Sequence, residues 1–158
     1  MPNEAIWTVY TDGGCAPRNP GPAGWGVVCQ PPHGAPAREG YGFIGPGTNQ
    51  IAEITAAIEG LRATPPGAVV KIVSDSQYVL KGISEWRKSW ERRGWQNSKG
   101  EPVAKASLWK QLFDLVDARK VVVQWVRGHN GHPENERADA LAGKALSTRS
   151  TAWSDEPA

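Results

Sequence analysis

The stretch Ala5-Ile6-Trp7-Thr8-Val9-Tyr10-Thr11-Asp12, which runs into Gly13-Gly14-Cys15-Ala16-Pro17-Arg18-Asn19-Pro20-Gly21-Pro22 and on to Trp25-Gly26-Val27-Val28-Cys29-Gln30, decides how this chain must fold. Ile6, Thr8, Tyr10 and Asp12 fall on one face of an extended chain, and Trp7, Val9 and Thr11 on the other. That is the two-residue period of a strand. The Gly- and Pro-rich run over 13–22 is expected to be a turn, with a second strand over 25–30. A Pro31-Pro32-His33-Gly34 turn leads to a third strand over 39–44. Two short links between three strands predict an antiparallel meander.

Working outward, Ile51, Ile54, Ile58 and Leu61 recur at helical spacing until Pro65-Pro66-Gly67 stops them. Residues 69–74 form a short apolar strand of the kind that parallel pairing buries on both faces. A helix is expected from Ser76, a stronger one over 105–118, and a fifth strand over 121–126. After a Gly-rich loop, Pro133 opens a last helix through about residue 146. The order β-β-β-α-β-α-α-β-α predicts an α/β fold, a five-stranded mixed sheet flanked by helices on both faces. No repeat or linker divides the chain, so one domain is expected over residues 1–147. Residues 148–158 lack periodicity and are expected to be a disordered tail.

With 39% hydrophobic and 22% charged residues, the composition is that of a globular protein. No stretch is apolar for long enough to span a bilayer, and Met1-Pro2-Asn3-Glu4 lacks the basic-then-apolar order of a signal peptide. Cys15 and Cys29 form no CxxC pair, which argues against a disulfide scaffold or a zinc site and for a reduced, cytoplasmic setting. The net charge of +2 hides an asymmetry. Residues 81–110 hold eight bases (Lys81, Arg87, Lys88, Arg92, Arg93, Lys99, Lys105, Lys110) against Glu85, Glu91 and Glu101, so this segment is strongly positive and the remainder negative. Interleaved with Trp86, Trp90, Trp95 and Trp109, these cations suit a phosphate backbone. On these residues alone, a solvated helical face with core tryptophans is an equally good account.

Four acids stand where such a sheet can gather them. Asp12 ends the first strand, Glu53 borders the apolar stripe of the first helix, and Asp75 follows the fourth strand at its carboxyl end, where open α/β sheets place ligands. Asp139 lies on the last helix, one turn after Glu136. Crowded carboxylates repel unless cations neutralise them, and hard oxygen ligands suit Mg²⁺ or Mn²⁺ rather than zinc. Taken singly, each acid has a plainer account. Asp12 fits turn chemistry, Asp75 a helix start, Glu53 a solvent-facing helix position, and Asp139 an intrahelical ion pair.

Tyr10-Thr11-Asp12-Gly13-Gly14-Cys15 with Asn19-Pro20-Gly21-Pro22-Ala23-Gly24-Trp25-Gly26 resembles the opening signature of type 1 ribonuclease H, in its bacterial form with a basic handle. Thr48-Asn49-Gln50-Ile51-Ala52-Glu53 and Ser74-Asp75-Ser76-Gln77-Tyr78-Val79 resemble its second and third motifs. Trp125-Val126-Arg127-Gly128-His129-Asn130-Gly131-His132-Pro133-Glu134-Asn135-Glu136-Arg137-Ala138-Asp139 resembles the last and most specific one. The resemblance covers about residues 4–146. It implies a ribonuclease H-like fold and an endonuclease that hydrolyses the RNA strand of RNA–DNA hybrids with two Mg²⁺ ions (Mn²⁺ substituting), leaving 5′-phosphate and 3′-hydroxyl ends.

It further implies that Asp12, Glu53, Asp75 and Asp139 are the catalytic metal ligands and His129 a mobile proton shuttle that assists product release, with Glu136 supporting the metals. Cys15, Asn19, Asn49 and Gln77 are implied to contact the RNA strand and Thr48 a DNA phosphate. The basic segment over residues 82–103 resembles the handle, in which Arg92 and Arg93 are implied to hold the hybrid, with Trp90 or Trp95 touching the DNA. Trp86 and Trp109 are expected to be packing residues. The chain departs from the familiar pattern in a Cys15–Asn19 turn one residue longer and in Gln50-Ile51-Ala52 before the glutamate. A free-standing monomer, with no membrane partner and no separate hybrid-binding domain, is expected. A non-catalytic hybrid-binding module would need one of the four carboxylates to be missing. A DNA exonuclease, resolvase or integrase on the same fold would lack the last motif, and an initiating Met1 with a complete handle argues against a reverse transcriptase fragment.

Overall fold

The N-terminal alternation becomes strand β1 (Ile6–Cys15), which pairs antiparallel with β2 (Gly21–Gln30), and β2 pairs likewise with β3 (Arg38–Gly47). The computed structural model describes residues 5–127 and 132–154. Strands β4 (Val69–Ser74) and β5 (Lys120–Trp125) add in parallel on the other side of β1. A short strand β6 (Ala152–Trp153) pairs antiparallel with β3, giving the order β5-β4-β1-β2-β3-β6. The sheet therefore has six strands, not the expected five.

The predicted turn over 13–22 shrinks to residues 16–20. The ladder continues from Asp12↔Gly26 to Cys15↔Ala23, and the Ala16 amide donates to the Pro22 carbonyl at 3.1 Å. The glycines there are not breakers. With ladder partners in reach they remain extended, and their missing side chains admit neighbouring backbones.

Helix α1 (Asn49–Arg62) starts at Thr48, whose Oγ1 accepts from the Ile51 amide at 3.1 Å. It presses Ala52, Ile54, Ile58 and Leu61 onto the sheet face that carries Val9, Trp25 and Val27. Beyond β4, Ser76 caps a short α2 (Gln77–Lys81), a π-turn spans Gly82–Trp86, and α3 (Arg87–Arg92) continues into the handle. The local cause of the irregularity is Gly82, where any Cβ would fall inside the Trp109 ring. That ring belongs to α4 (Ala106–Asp117), whose Trp109, Leu112 and Phe113 complete the main core beside α1. Helix α5 (Pro133–Thr148) covers the opposite face, where Ala138 and Leu141 pack on Val28, Tyr10 and Tyr41. Among the described residues no helix is long and apolar enough to cross a membrane.

The segment expected to be disordered is ordered over residues 149–154. Trp153 lies over Gly40, where a Cβ would run into its ring, 5.8 Å from the Trp25 ring and 4.8 Å beneath the Arg38 guanidinium. The Ser154 amide donates to the Glu39 carbonyl at 2.7 Å, and the Glu39 amide donates to Ser154 Oγ at 2.9 Å. One aromatic residue among polar ones carries no periodicity, so the pattern did not reveal a strand this short. Replacing Trp153 with Ala should lower the unfolding free energy by about 2–3 kcal/mol with unchanged secondary structure. Urea denaturation checks this, and an unchanged midpoint would show that the strand adds nothing.

Candidate active site

Asp12 is buried in the middle of the sheet, on the face that α5 covers. Its cross-strand partner is Gly26, and a side chain there would drive into the Ala138 carbonyl and the Ala142 amide. The bare backbone lets α5 lie flat on β2, which brings Asp139 to Asp12. The two carboxyl groups share a hydrogen bond. On the opposite face, a Cβ on Gly13 would collide with the Ala52 carbonyl. Helix α1 thus rests directly on β1, with Glu53 beside the same point. Thr11 pairs with Ser74, so Asp75, the next residue after β4, stands next to Asp12 at the carboxyl end of the parallel strands.

The surroundings hold these groups in place. The Ser76 hydroxyl donates to Glu53 Oε2 at 2.7 Å while accepting from the Val79 amide at 3.3 Å. The Trp125 indole Nε1 donates to the Asp75 carbonyl at 3.2 Å. Burial is the largest cause pushing the Asp12 carboxyl far above the ordinary carboxylate range. The Asp139 hydrogen bond and the Asp75 charge raise it further, and the Gly13 amide, at 3.0 Å, opposes them. Burial also raises Glu53, aided by the Asp75 charge and opposed by Ser76.

Among the described residues, no three or more His, Cys, Asp or Glu side chains form a ready-made metal cage. The donor set is nevertheless all carboxylate. Asp139 bonds to Asp12 and helps push its carboxyl up, and a divalent cation beside them would favour the charged form of Asp12 instead. These residues fit an oxygen-loving cation, with Asp12, Glu53, Asp75 and Asp139 to hold it.

Asn19, Asn49 and Cys15 are brought together: Asn19 Oδ1 accepts from the Asn49 amide at 3.1 Å, and Asn49 Oδ1 accepts from the Cys15 amide at 2.8 Å. Thr48 caps the same helix end, and Gln77 is exposed two residues beyond Asp75. A cleft of about 360 Å³ runs from Cys15 and Gly13 to Asp139 and Gly143. Arg92 and Arg93 are exposed on the handle. Trp90 and Trp95 are half-buried there, in a stack where Trp90 lies 5.2 Å from Trp109 and 5.9 Å from Trp95, under Lys110. Trp109 is fully buried and Trp86 half-buried, both in this stack. Glu136 is exposed in the first turn of α5. His129 lies outside the described residues. Sequence reasoning missed Ser76 and Trp125 as supports of the acids. A serine before a helix signals only a cap, and neither long-range bond leaves a mark in local pattern.

Fold and site define an α/β protein with an acidic centre at the carboxyl end of its parallel strands. A family model for RNase H matches residues 4–147. The ribonuclease H of Cupriavidus metallidurans is 46% identical over 144 residues, covering 91% of this chain and 97% of that protein. That of Saccharopolyspora erythraea is 51% identical over 138 residues, covering 86% and 87%. The solved structure of LC9-RNase H1, a type 1 RNase H with the type 2 active-site motif, matches with a TM-score of 0.83 at 29% identity, covering 94% of this chain and 75% of that one. The chain belongs to the RNase H family, whose members cleave the RNA strand of RNA–DNA hybrids.

The raised Asp12 carboxyl predicts a pH signature without metal. Above the ordinary Asp value of about 4, the folded state holds a proton that the unfolded chain has released, so stability falls as pH rises towards the folded value. In EDTA, Asp12→Asn should match the parent near pH 4 and exceed it at pH 8 by about 1 kcal/mol or more. Thermal denaturation at both pH values tests this, and a parent as stable as the variant at pH 8 would refute the burial account.

Proposed function

We propose that this chain is an endonuclease that hydrolyses the RNA strand of RNA–DNA hybrids by a two-metal mechanism, leaving 5′-phosphate and 3′-hydroxyl ends. The observation that carries the proposal is the convergence of Asp12, Asp75, Asp139 and Glu53 at one end of the sheet, where burial and the neighbouring acids together push the Asp12 and Glu53 carboxyls up. Two Mg²⁺ ions held there (or Mn²⁺) would supply an activated water and a stabilised leaving oxygen. Asp12 and Asp75 would hold the ions together with Glu53 and Asp139. Ser76 holds the Glu53 carboxyl through Oε2. His129 takes up protons and helps product leave.

The Cys15–Asn19–Asn49 network and Gln77 form the edge that reads RNA riboses, since only a 2′-hydroxyl distinguishes the strands. Thr48 receives a DNA phosphate, and Arg92 and Arg93 hold the backbone from the handle while Trp90 or Trp95 offers a ring edge to the DNA. Residues 1–147 carry the activity, and we take the protein to act as a monomer in the cytoplasm.

An end-labelled sequence presented as RNA–DNA hybrid, RNA duplex, DNA duplex and single-stranded RNA, with Mg²⁺ and with EDTA, should be cut only in the hybrid's RNA and only with metal. Asp12→Asn should abolish cutting. Metal-dependent cutting of DNA would move the chain to a different activity on this fold, and full activity of Asp12→Asn would refute the metal assignment.

The handle makes a separate prediction. Arg92→Gln with Arg93→Gln should raise KM by about three- to tenfold with kcat within about twofold, and flatten the salt dependence of binding. Steady-state kinetics at two salt concentrations measure both, and an unchanged KM would take these arginines out of the interface.

A further inference from the structure

A second groove, of about 360 Å³, opens beside the acidic centre, lined by Gln77, Leu80, Lys81, Ser84 and Trp125. Its wall on the sheet side is the Trp125 ring, 45% exposed at the last position of β5. Water-exposed tryptophan is uncommon without a partner to cover it. This ring is held in place, because its Nε1 donates to the carbonyl of Asp75, one of the four acids.

The facing wall is the helix over residues 77–86. Leu80 supplies a buried apolar floor, and Ser84 spends its hydroxyl on the Leu80 carbonyl at 2.8 Å. The polar groups left to face the groove are the Gln77 amide and the Lys81 ammonium, both exposed. Among the described residues no carboxylate lines it, in contrast to the neighbouring centre. A rigid aromatic plane, an amide and one cation, with no anion, suit a flat heterocycle joined to a phosphate.

Resting on the activity proposed above, we propose that this groove holds an unpaired nucleotide of the RNA strand where it leaves the hybrid. Paired bases stack on one another and expose only their edges, so a slot between a ring and a helix admits a base only once it is unpaired. The RNA strand is the natural occupant, because the groove adjoins Asp75, where its phosphodiester would lie. The base stacks on Trp125 and meets the Gln77 amide, and Lys81 meets the phosphate.

The test is equilibrium binding with the full-length Asp12→Asn protein, which is expected to bind without cutting. The probes are a short blunt hybrid and the same hybrid with three unpaired nucleotides added to the RNA 5′ end, the RNA 3′ end, or either end of the DNA. One RNA extension should tighten binding by about five- to tenfold over the blunt hybrid. The ratio of extended to blunt affinity should fall to near one with Trp125→Leu, about halve with Lys81→Gln, and be partly kept with Trp125→Phe. Because each variant is compared with itself on the blunt hybrid, a general loss of stability does not imitate the effect. Blunt binding with no gain from any RNA extension overturns the groove assignment alone, as does a gain that survives Trp125→Leu. An equal gain from DNA overturns the choice of strand. Failure to bind even the blunt hybrid removes the proposed activity and this assignment with it.

Discussion

Everything functional in this structure depends on how closely two helices approach the strand that carries Asp12. Gly13 and Gly26 make that approach possible from opposite faces. At Gly13 the backbone of α1 rests where a side chain would be, and at Gly26 the backbone of α5 does the same. An alanine at either place would push a helix outward by an ångström or more, and Glu53 or Asp139 would leave with it. The site is thus fixed by two missing side chains in the central ladder as much as by the carboxylates themselves. Ladder positions cannot shift without breaking pairing along the whole strand, so the geometry is stiff where it needs to be.

The handle is joined to this centre through one irregular helix. Gly82 lets the Trp109 ring occupy the space of a side chain, and the π-turn at Gly82–Trp86 takes up the extra residue that results. Around Trp109, the rings of Tyr78, Trp90 and Phe113 form an aromatic hub between α2, α3 and α4. Arg87 closes it with a two-pronged bond to Asp117, at 2.7 and 2.6 Å, and a position over Phe113. That arginine is consumed by structure, whereas Arg92 and Arg93 on the far side are exposed. The structural account of the basic segment therefore holds for Arg87, while Arg92 and Arg93 stay open to solvent.

This division explains what was legible from sequence. Alternation in β1 and the apolar run of β4 gave the strands, because burial on one or two faces leaves a period in the side chains. The helical spacing from Ile51 to Leu61 gave α1 for the same reason. The limits of β1 and β2 differ from the expectation because Gly13, Gly14, Gly21 and Pro22 carry turn statistics, while here they sit in the ladder and Gly13 and Gly21 admit other backbone atoms. Strand β6 escaped because it is held by Trp153 on Gly40 and by bonds to Glu39, contacts more than a hundred residues apart in the chain. The acids were legible as candidates, and their order along the chain matched a known family. Their convergence was not, since it rests on helix placement and on supports such as Ser76 that leave no periodic signal.

Burying the Asp12 carboxyl beside half-buried Glu53 and Asp75 and the exposed Asp139 has a cost in any folded protein. The cost shows in the Asp12 carboxyl, which burial and its acidic neighbours push far above the ordinary range, and in Glu53, which burial raises. A fold selected only for stability would replace such groups with apolar ones or pair each with a base. Two arginines are bound to other groups. Arg137, two positions before Asp139, goes to Glu39 at 2.9 and 2.8 Å, which fastens α5 to β3. Arg119 is bound to Thr64 and Leu115, far along the chain from the acids. On the function proposed above, the raised Asp12 carboxyl is the counterpart of a cation that arrives from solution, because an opposite charge beside it would reverse the shift that burial causes.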